Sequence, residues 1–436
     1  MNVSSSPTSF DGTCASIHAA PTDFARDYCA FIAASPTAYH AAAAITAVLS
    51  NAGFRQQNEG DAWAGTRTGF TSRDGAVIAW RIPEHWESDA GVRIVGAHTD
   101  SPSFHVKPIA DTETLTYGQV NVEVYGGPLL NSWLNRDLGL AGRLVMFNGE
   151  EKLVHTDAVM TIPQIAPHLD RSANKELKLS AQRDYHPIWN ISGKSIIPYV
   201  ADVAGVKAAD IAAMDVFAYD TQPPRLLGEA ESNFIAAGRQ DNLSSVYAAL
   251  SAFVQTQQCP DIQVFAAFNN EEIGSRTYSG AAGTFLESVL RRIVEHERGV
   301  GSEAFERALA HSSCVSADAG HAVNPNRPDL HDPSHQVLLG SGPLVKIHSS
   351  GAYASTALTQ ALLERAARTA GVKLQAFVSH NDVPCGTTIG PLTTTRLGIA
   401  TVDCGIPLLS MHSVRELSSP IDLRDFAQLL AAYMEA

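Results

Sequence analysis

Positive charge is scarce in this 436-residue chain: 31 Lys and Arg stand against 45 Asp and Glu, for a formal net charge of −14. Nucleic acids and anionic membranes both reward clustered cations, so neither is expected as the main partner. Long apolar runs are missing as well, and none approaches the roughly 20 residues of a membrane span. The first cation is Arg26, which leaves the N-terminus without the basic-then-apolar pattern of a secretory signal. Cysteines are few. Cys14, Cys29, Cys259, Cys314, Cys385 and Cys404 form no C-x-x-C pair, and a chain this long needs no disulfide staples. Small buried thiols in a reducing compartment are the expectation. These absences together describe a soluble, cytoplasmic, acidic globular protein.

Material for a large core is present. Hydrophobic residues make up 45% and charged residues 17%, the opposite of a disordered balance. At about 150 residues per domain the length predicts two or three structural units. A small, polar segment over 1–20 reads as a loose arm. Helices are expected at 23–34 and 38–52, followed by strands at 76–82 and 92–97. From about 104 the texture changes to short strand-like pieces (119–125 and 144–147) and turns such as Gly126-Gly127-Pro128, read as a β-rich insertion. Strands and helices then alternate: helix 241–255, strand 262–268, helix 281–310 broken near Gly299, strand 315–317, helix 353–370, strand 399–403 and helix 423–432. Such alternation predicts an α/β architecture, a mixed, largely parallel sheet with helices on both faces. The expected division is a catalytic α/β domain split into 1–103 and 229–436 by an inserted β-rich domain, 104–228.

Five segments can carry chemistry, and each falls beside an expected strand or helix end, where α/β sheets bind ligands. Asn269-Asn270-Glu271-Glu272-Ile273-Gly274-Ser275 follows strand 262–268. Adjacent carboxylates there can point apart, one to a metal and one to a water, as metal-assisted hydrolysis requires; an exposed acidic loop is the bland alternative. In His98-Thr99-Asp100 the carboxylate can accept the ring N–H of His98 and free the other nitrogen for a metal, or His98 is simply a satisfied strand-end residue. Asp241, in Gly238-Arg239-Gln240-Asp241-Asn242, can cap its helix or bridge two metals through its two oxygens. Asp318 follows the strand at 315–317, and His412 lies in Ser410-Met411-His412-Ser413. A mixed nitrogen and oxygen donor set without thiolate suits Zn²⁺ and accepts Co²⁺ or Mn²⁺. Competing motifs fail. The chain contains neither H-E-x-x-H nor G-x-S-x-G. Gly193-Lys194-Ser195 resembles the end of a phosphate loop, but Ile188 stands where its first glycine belongs, and Gly299-x-Gly301 lacks a third glycine. His311, His321, His331 and His335 form a His-rich patch, read mainly as surface loop.

In order and content these segments resemble the aspartyl aminopeptidase family of cocatalytic zinc metallopeptidases. The likeness covers nearly the whole chain and includes Ala97-His98-Thr99-Asp100-Ser101, Trp133-Leu134-Asn135-Arg136-Asp137-Leu138, Asp241-Asn242-Leu243, Asn270-Glu271-Glu272-Ile273-Gly274-Ser275, Asp382-Val383-Pro384-Cys385-Gly386-Thr387-Thr388-Ile389-Gly390-Pro391 and Met411-His412-Ser413. The resemblance implies two zinc ions per subunit bridged by Asp241, with His98 and Asp318 completing one site and Glu272 and His412 the other. Glu271 would be the general base, and Asp100 would belong to the catalytic set. The substrates implied are peptides with a free N-terminus, cut one residue at a time, with acidic Asp or Glu preferred. Lys346 and Tyr353 would meet that acidic side chain, and His321 would line the same pocket. Read from the residues alone, Lys346 is a solvated cation after a Gly-Ser-Gly-Pro turn. The insertion would be a dimerisation domain whose His168 reaches a neighbouring subunit's site, in a homododecamer built from dimers. Gln164 departs from a histidine found there in some members, and nothing catalytic depends on it. Two other readings stay open: a related two-metal hydrolase with a neutral N-terminal or N-acyl preference, and a non-catalytic peptide-binding shell protein.

Overall fold

The computed structural model describes residues 10–63, 65–87, 90–229, 234–256, 259–298 and 302–436. Its centre is a nine-stranded sheet. From edge to edge the strands are Arg55–Gln56, Thr68–Arg73, Ala76–Arg81, Ile262–Phe268, Val92–His98, Ser313–Ala317, Ala400–Gly405, Leu344–Ile347 and Gln375–Val378. The four middle strands run parallel, with Phe268 opposite His98, Ser316 opposite Gly96, and Ala317 opposite Cys404. Their carboxyl ends therefore open along one edge of the sheet.

Alternation along these strands builds the layers. Val95, Ala97, Phe265, Ala267, Val315 and Val402 face one core with the helices Pro21–Ala34, Ala38–Asn51, Gln240–Gln255, Ala357–Ala370 and Pro420–Met434. Ile94, Val264, Ala266, Phe268 and Cys314 face the other, packed by Phe285–Arg298 and Ser302–Ala310. Helices thus cover both faces of a mixed, largely parallel sheet, as the alternating pattern predicts. Among the described residues, no helix is long and apolar enough to cross a membrane.

A second sheet, antiparallel and six-stranded, is built from the chain between Ser103 and Asp220, in the order Glu151–His155, Leu138–Met146, Ile211–Asp220, Ser103–Thr114, Tyr117–Tyr125 and Ile188–Asn190. It has its own core around Phe104, Trp133, Leu140, Tyr185 and Val216. These strands are longer than the short pieces expected, because polar positions on their open face interrupt the hydrophobic signal without breaking the ladder.

Other differences are local. The helix expected from 353 begins at Ala357, where the Thr356 and Thr359 side chains form a reciprocal cap. Tyr353 and Ala354 precede it on irregular backbone, with the Ala354 N–H donating to buried Asp403. The strand Leu344–Ile347 and the Thr-rich helix Gly390–Leu397 are additional elements. The expected break near Gly299 and residues 1–9 of the expected arm lie outside the described residues.

Gly405 shows how tightly the strand ends are spaced: a Cβ added there would lie 1.9 Å from the carbonyl oxygen of Asp318. Gly405→Ala should cost about 1–3 kcal/mol and lower the melting temperature by several degrees. An unchanged transition would show that these ends are not held as closely as described.

Candidate metal centre and active site

The parallel strand ends bring the candidate ligands together. His98 ends its strand, Asp318 follows Ser313–Ala317, and Glu271 and Glu272 occupy a single helical turn just past Ile262–Phe268. Asp241 enters from the kinked start of helix Gln240–Gln255 with non-helical torsions, and the N-cap position is held by Arg239. His412 arrives on a turn before the strand Glu416–Ser418.

Asp241 divides its oxygens between two donor sets. Its Oδ1 lies 3.4 Å from His98 Nε2, which is 3.7 Å from Asp318 Oδ1. Its Oδ2 lies 3.4 Å from His412 Nε2, which is 3.4 Å from Glu272 Oε1. His98, Asp241 and Asp318 form one group able to hold a cation, and Asp241, Glu272 and His412 another. Glu271 Oε2 stands 4.0 Å from His98 Nε2, beside the first group.

Asp100 does more than expected. The ring Nδ1 of His98 is 3.0 Å from the backbone oxygen of Asp100 and 3.4 Å from its Oδ1. The carboxylate's shorter bonds go elsewhere: Oδ1 accepts the N–H of Glu271 at 3.0 Å, while Oδ2 accepts the N–H of Glu272 at 3.1 Å and the hydroxyl of Tyr125 at 2.8 Å. Asp100 therefore sets the acidic turn, and its carbonyl faces the histidine. The second imidazole is oriented by the inserted chain. His412 Nδ1 donates to the Gly127 carbonyl at 2.9 Å, leaving Nε2 for Asp241 and Glu272. Gly126-Gly127-Pro128 reads in the sequence only as a turn. Nothing local there signals a role at the site; Tyr125 and Glu416 were missed for the same reason, while Asn270 stands in a quoted motif without a role of its own.

The electrostatics describe a cluster in need of positive charge. Burial, together with the charge of Asp241, pushes the Glu272 carboxyl well above its usual range. Burial likewise lifts Glu271 to about 7; His98 opposes the rise, while Asp318, Asp100 and Asp241 add to it. Burial disfavours protonated His98, yet the carboxylates of Asp100, Asp241 and Asp318 close around its ring raise it well above an ordinary imidazole. His412 rises to about 10, because bonding to Asp241 and the charge of Glu272 outweigh burial. A site that gathers protons in this way has the charge deficit that divalent cations fill. Two further observations fit a metal. Buried Asp241 Oδ1 has no hydrogen-bond partner. Donors placed about 2.0–2.1 Å from a tetrahedral zinc stand about 3.4 Å apart, which is the spacing around Asp241.

Beside this centre, Lys346 is buried in the sheet with Nζ 3.1 Å from Asp318 Oδ2 and 5.4 Å from the Tyr353 ring centre. It is a packed ion-pair partner and not a solvated cation. Tyr353 and His321 line a cleft of about 200 Å³ with Phe377, His380 and Cys385. His168 is exposed, on the stretch between Ile162 and Ile188, and is not one of the clustered groups.

Residues 31–434 match the pattern of the aminopeptidase I zinc metalloprotease (M18) family. The chain belongs to the M18 family. An M18 relative, the probable M18 family aminopeptidase 2 of Streptomyces coelicolor, is 43% identical over 431 residues, spanning 95% of this chain and 99% of that protein. Among solved structures, Ape4 in its complex with Nbr1 superposes with a TM-score of 0.91 at 31% identity, over 95% of this chain and 86% of that one. The mApe1 dodecamer of S. cerevisiae gives 0.83 at 27%, over 94% and 96%. The protein is an M18 zinc-dependent aminopeptidase, a hydrolase.

Removing divalent ions with a chelator should lower the melting temperature, and zinc should restore it in a concentration-dependent way. Asp241→Asn should lose the zinc-dependent part. A parent protein whose transition ignores both chelator and zinc would contradict the metal assignment.

Proposed function

We propose that this aminopeptidase holds two zinc ions and releases Asp or Glu from peptide N-termini, with Glu271 as general base. The observation that carries the reading is the split of Asp241, whose Oδ1 faces His98 and Asp318 while Oδ2 faces His412 and Glu272. In it, Asp241 would be shared by both ions, with His98 and Asp318 completing one site and Glu272 and His412 the other. Co²⁺ or Mn²⁺ would fit the same donors. When bound, the metal pair supplies Lewis-acid polarisation of the scissile carbonyl and a lowered pKa for water.

The chain's own groups do the rest. Glu271 accepts the proton of the attacking water on a carboxylate oxygen and returns it to the departing amine. Asp100 keeps that carboxylate aimed by holding the N–H groups of Glu271 and Glu272. The acidic side chain of the substrate enters the cleft of Tyr353 and His321 and shares the Lys346 ammonium with Asp318. A neutral side chain leaves that buried donor less well paired, which is the source of discrimination.

Residues 104–228 serve in this reading as a dimerisation domain of a homododecamer, as the S. cerevisiae relative's assembly suggests. Exposed Ile165 and Leu169 flank His168, compatible with burial against a second copy in which His168 stabilises the developing oxyanion. All six cysteines are unpaired, in keeping with a cytoplasmic location.

Glu271→Gln should retain zinc and lower kcat by about 10²–10⁴-fold; full activity in that variant would refute the base assignment. Lys346→Ala should depress kcat/KM for Asp and Glu substrates about 10- to 100-fold more than for Ala or Leu substrates. Equal losses across a chromogenic N-terminal residue panel would remove the specificity argument. His168→Ala should reduce kcat by about 10²–10³-fold with KM nearly unchanged, and a KM-only effect would count against an oxyanion role.

A further inference from the structure

We propose that Glu416 is a positioning residue: one buried carboxylate that joins Asp241 and His412 into a single unit by holding both of their backbone N–H groups. The inference rests on the metal-centre reading above and adds to it the device that sets the two ligands before any ion arrives.

Glu416 is 1% exposed. Its Oε2 accepts the N–H of Gln240 at 2.6 Å and of Asp241 at 3.2 Å, and its Oε1 accepts the N–H of His412 at 2.9 Å. Three donors from two separate segments converge on its two oxygens, a set of bonds that the ionised carboxylate accepts. An amide in its place would turn an NH₂ toward at least one of them.

The two ligands need such a device more than the others do. His98 sits in a strand ladder, and Glu271 and Glu272 are held by Asp100. Asp241 instead has torsions of φ −80 and ψ 102 inside a kinked helix start, and His412 has a positive φ of 66. Neither N–H is part of a regular ladder, so without Glu416 both would be buried or half-buried donors lacking a partner.

Glu416 is itself locked in place. It pairs with Ala237 across the antiparallel strands Phe234–Ala237 and Glu416–Ser418. The Gln240 side chain rivets the same corner, accepting from Ser418 Oγ at 2.6 Å and donating to the Glu416 carbonyl at 2.8 Å and the Ile235 carbonyl at 3.2 Å. The carboxylate touches no group assigned to substrate, which predicts an effect on metal affinity and not on substrate binding.

The test is zinc affinity of the purified full-length protein, measured by competition with a chromophoric chelator, together with kcat and KM on an N-terminal Asp chromogenic amide as zinc is varied. Glu416→Gln should weaken zinc binding by about 10- to 100-fold, with KM near parental and kcat largely recovered at saturating zinc. Glu416→Asp, with the charge kept but the oxygens drawn back by one methylene, should fall between. Asp241→Asn is the control for the underlying reading. If it loses zinc while both Glu416 variants bind like the parent, the positioning role is overturned and the metal centre stands. If Asp241→Asn also binds like the parent, the metal-centre reading itself has failed. Should neither Glu416 variant yield folded protein even in excess zinc, Glu416 is a stability residue and the proposal falls.

Discussion

Everything at this site answers to one electrostatic constraint. Five carboxylates, those of Asp100, Asp241, Glu271, Glu272 and Asp318, are gathered with two imidazoles where water is largely excluded. Like charges at such distances repel strongly in a medium of low polarity. Backbone N–H groups and the two imidazoles lie against some of the oxygens, and burial raises the carboxyls of Glu271 and Glu272. Asp241 is the extreme case: burial favours its neutral form, yet His412 and His98 hold its carboxyl far below the usual range. In the proposed reading a pair of divalent cations would answer the same constraint with more charge. That is the physical sense in which the sequence commits this pocket to metal.

The fold supplies that convergence cheaply. Parallel strands in register deliver His98, Asp318 and the Glu271–Glu272 turn to one edge, with Phe268 opposite His98. The remaining candidate ligands come from segments without regular pairing. Two buried carboxylates hold the awkward backbone: Asp100 grips the acidic turn, and Glu416 grips Asp241 and His412. Acceptor-only groups suit that work, since backbone amides at turn corners and helix starts are the donors left over when ladders end.

Much of this was legible in the sequence, and what was not has physical reasons. His98, Glu272 and Asp318 could be placed because apolar β-branched runs mark buried strands, and the residue after such a run lies at the sheet's edge. Lys346 misled because a charge within Leu344–Ile347 breaks the apolar run, although its ammonium is buried against Asp318. Tyr353 was assigned to a helix because nothing local shows that Asp403, fifty residues on, would bind the Ala354 N–H and delay the first turn. Glu416 looks like any charged residue in Arg415-Glu416. Its partners are backbone donors supplied by other segments, and main-chain hydrogen bonds leave no mark on the sequence at the acceptor's address.

The inserted sheet is bonded into the site and does more than decorate it. Tyr125, at the end of one inserted strand, donates to Asp100 at 2.8 Å and receives the Asn270 side-chain amide at 2.9 Å. Two residues on, Gly127 takes the His412 ring proton, and the Leu129 N–H returns to the His412 carbonyl at 2.9 Å. Farther out, Arg143 reaches from the inserted sheet to Asp74 at 2.6 Å, and the Asp74 carbonyl accepts the side-chain amide of Asn269 at 2.8 Å. These contacts reach both candidate metal sites, one through Asp100 and the acidic turn, the other through His412. A rigid shift of the inserted sheet against the central one would therefore pull on His412 and on the Glu271–Glu272 turn together. Whatever fixes the outer face of that sheet, a second copy of the chain included, also fixes the geometry on which the proposed hydrolysis depends.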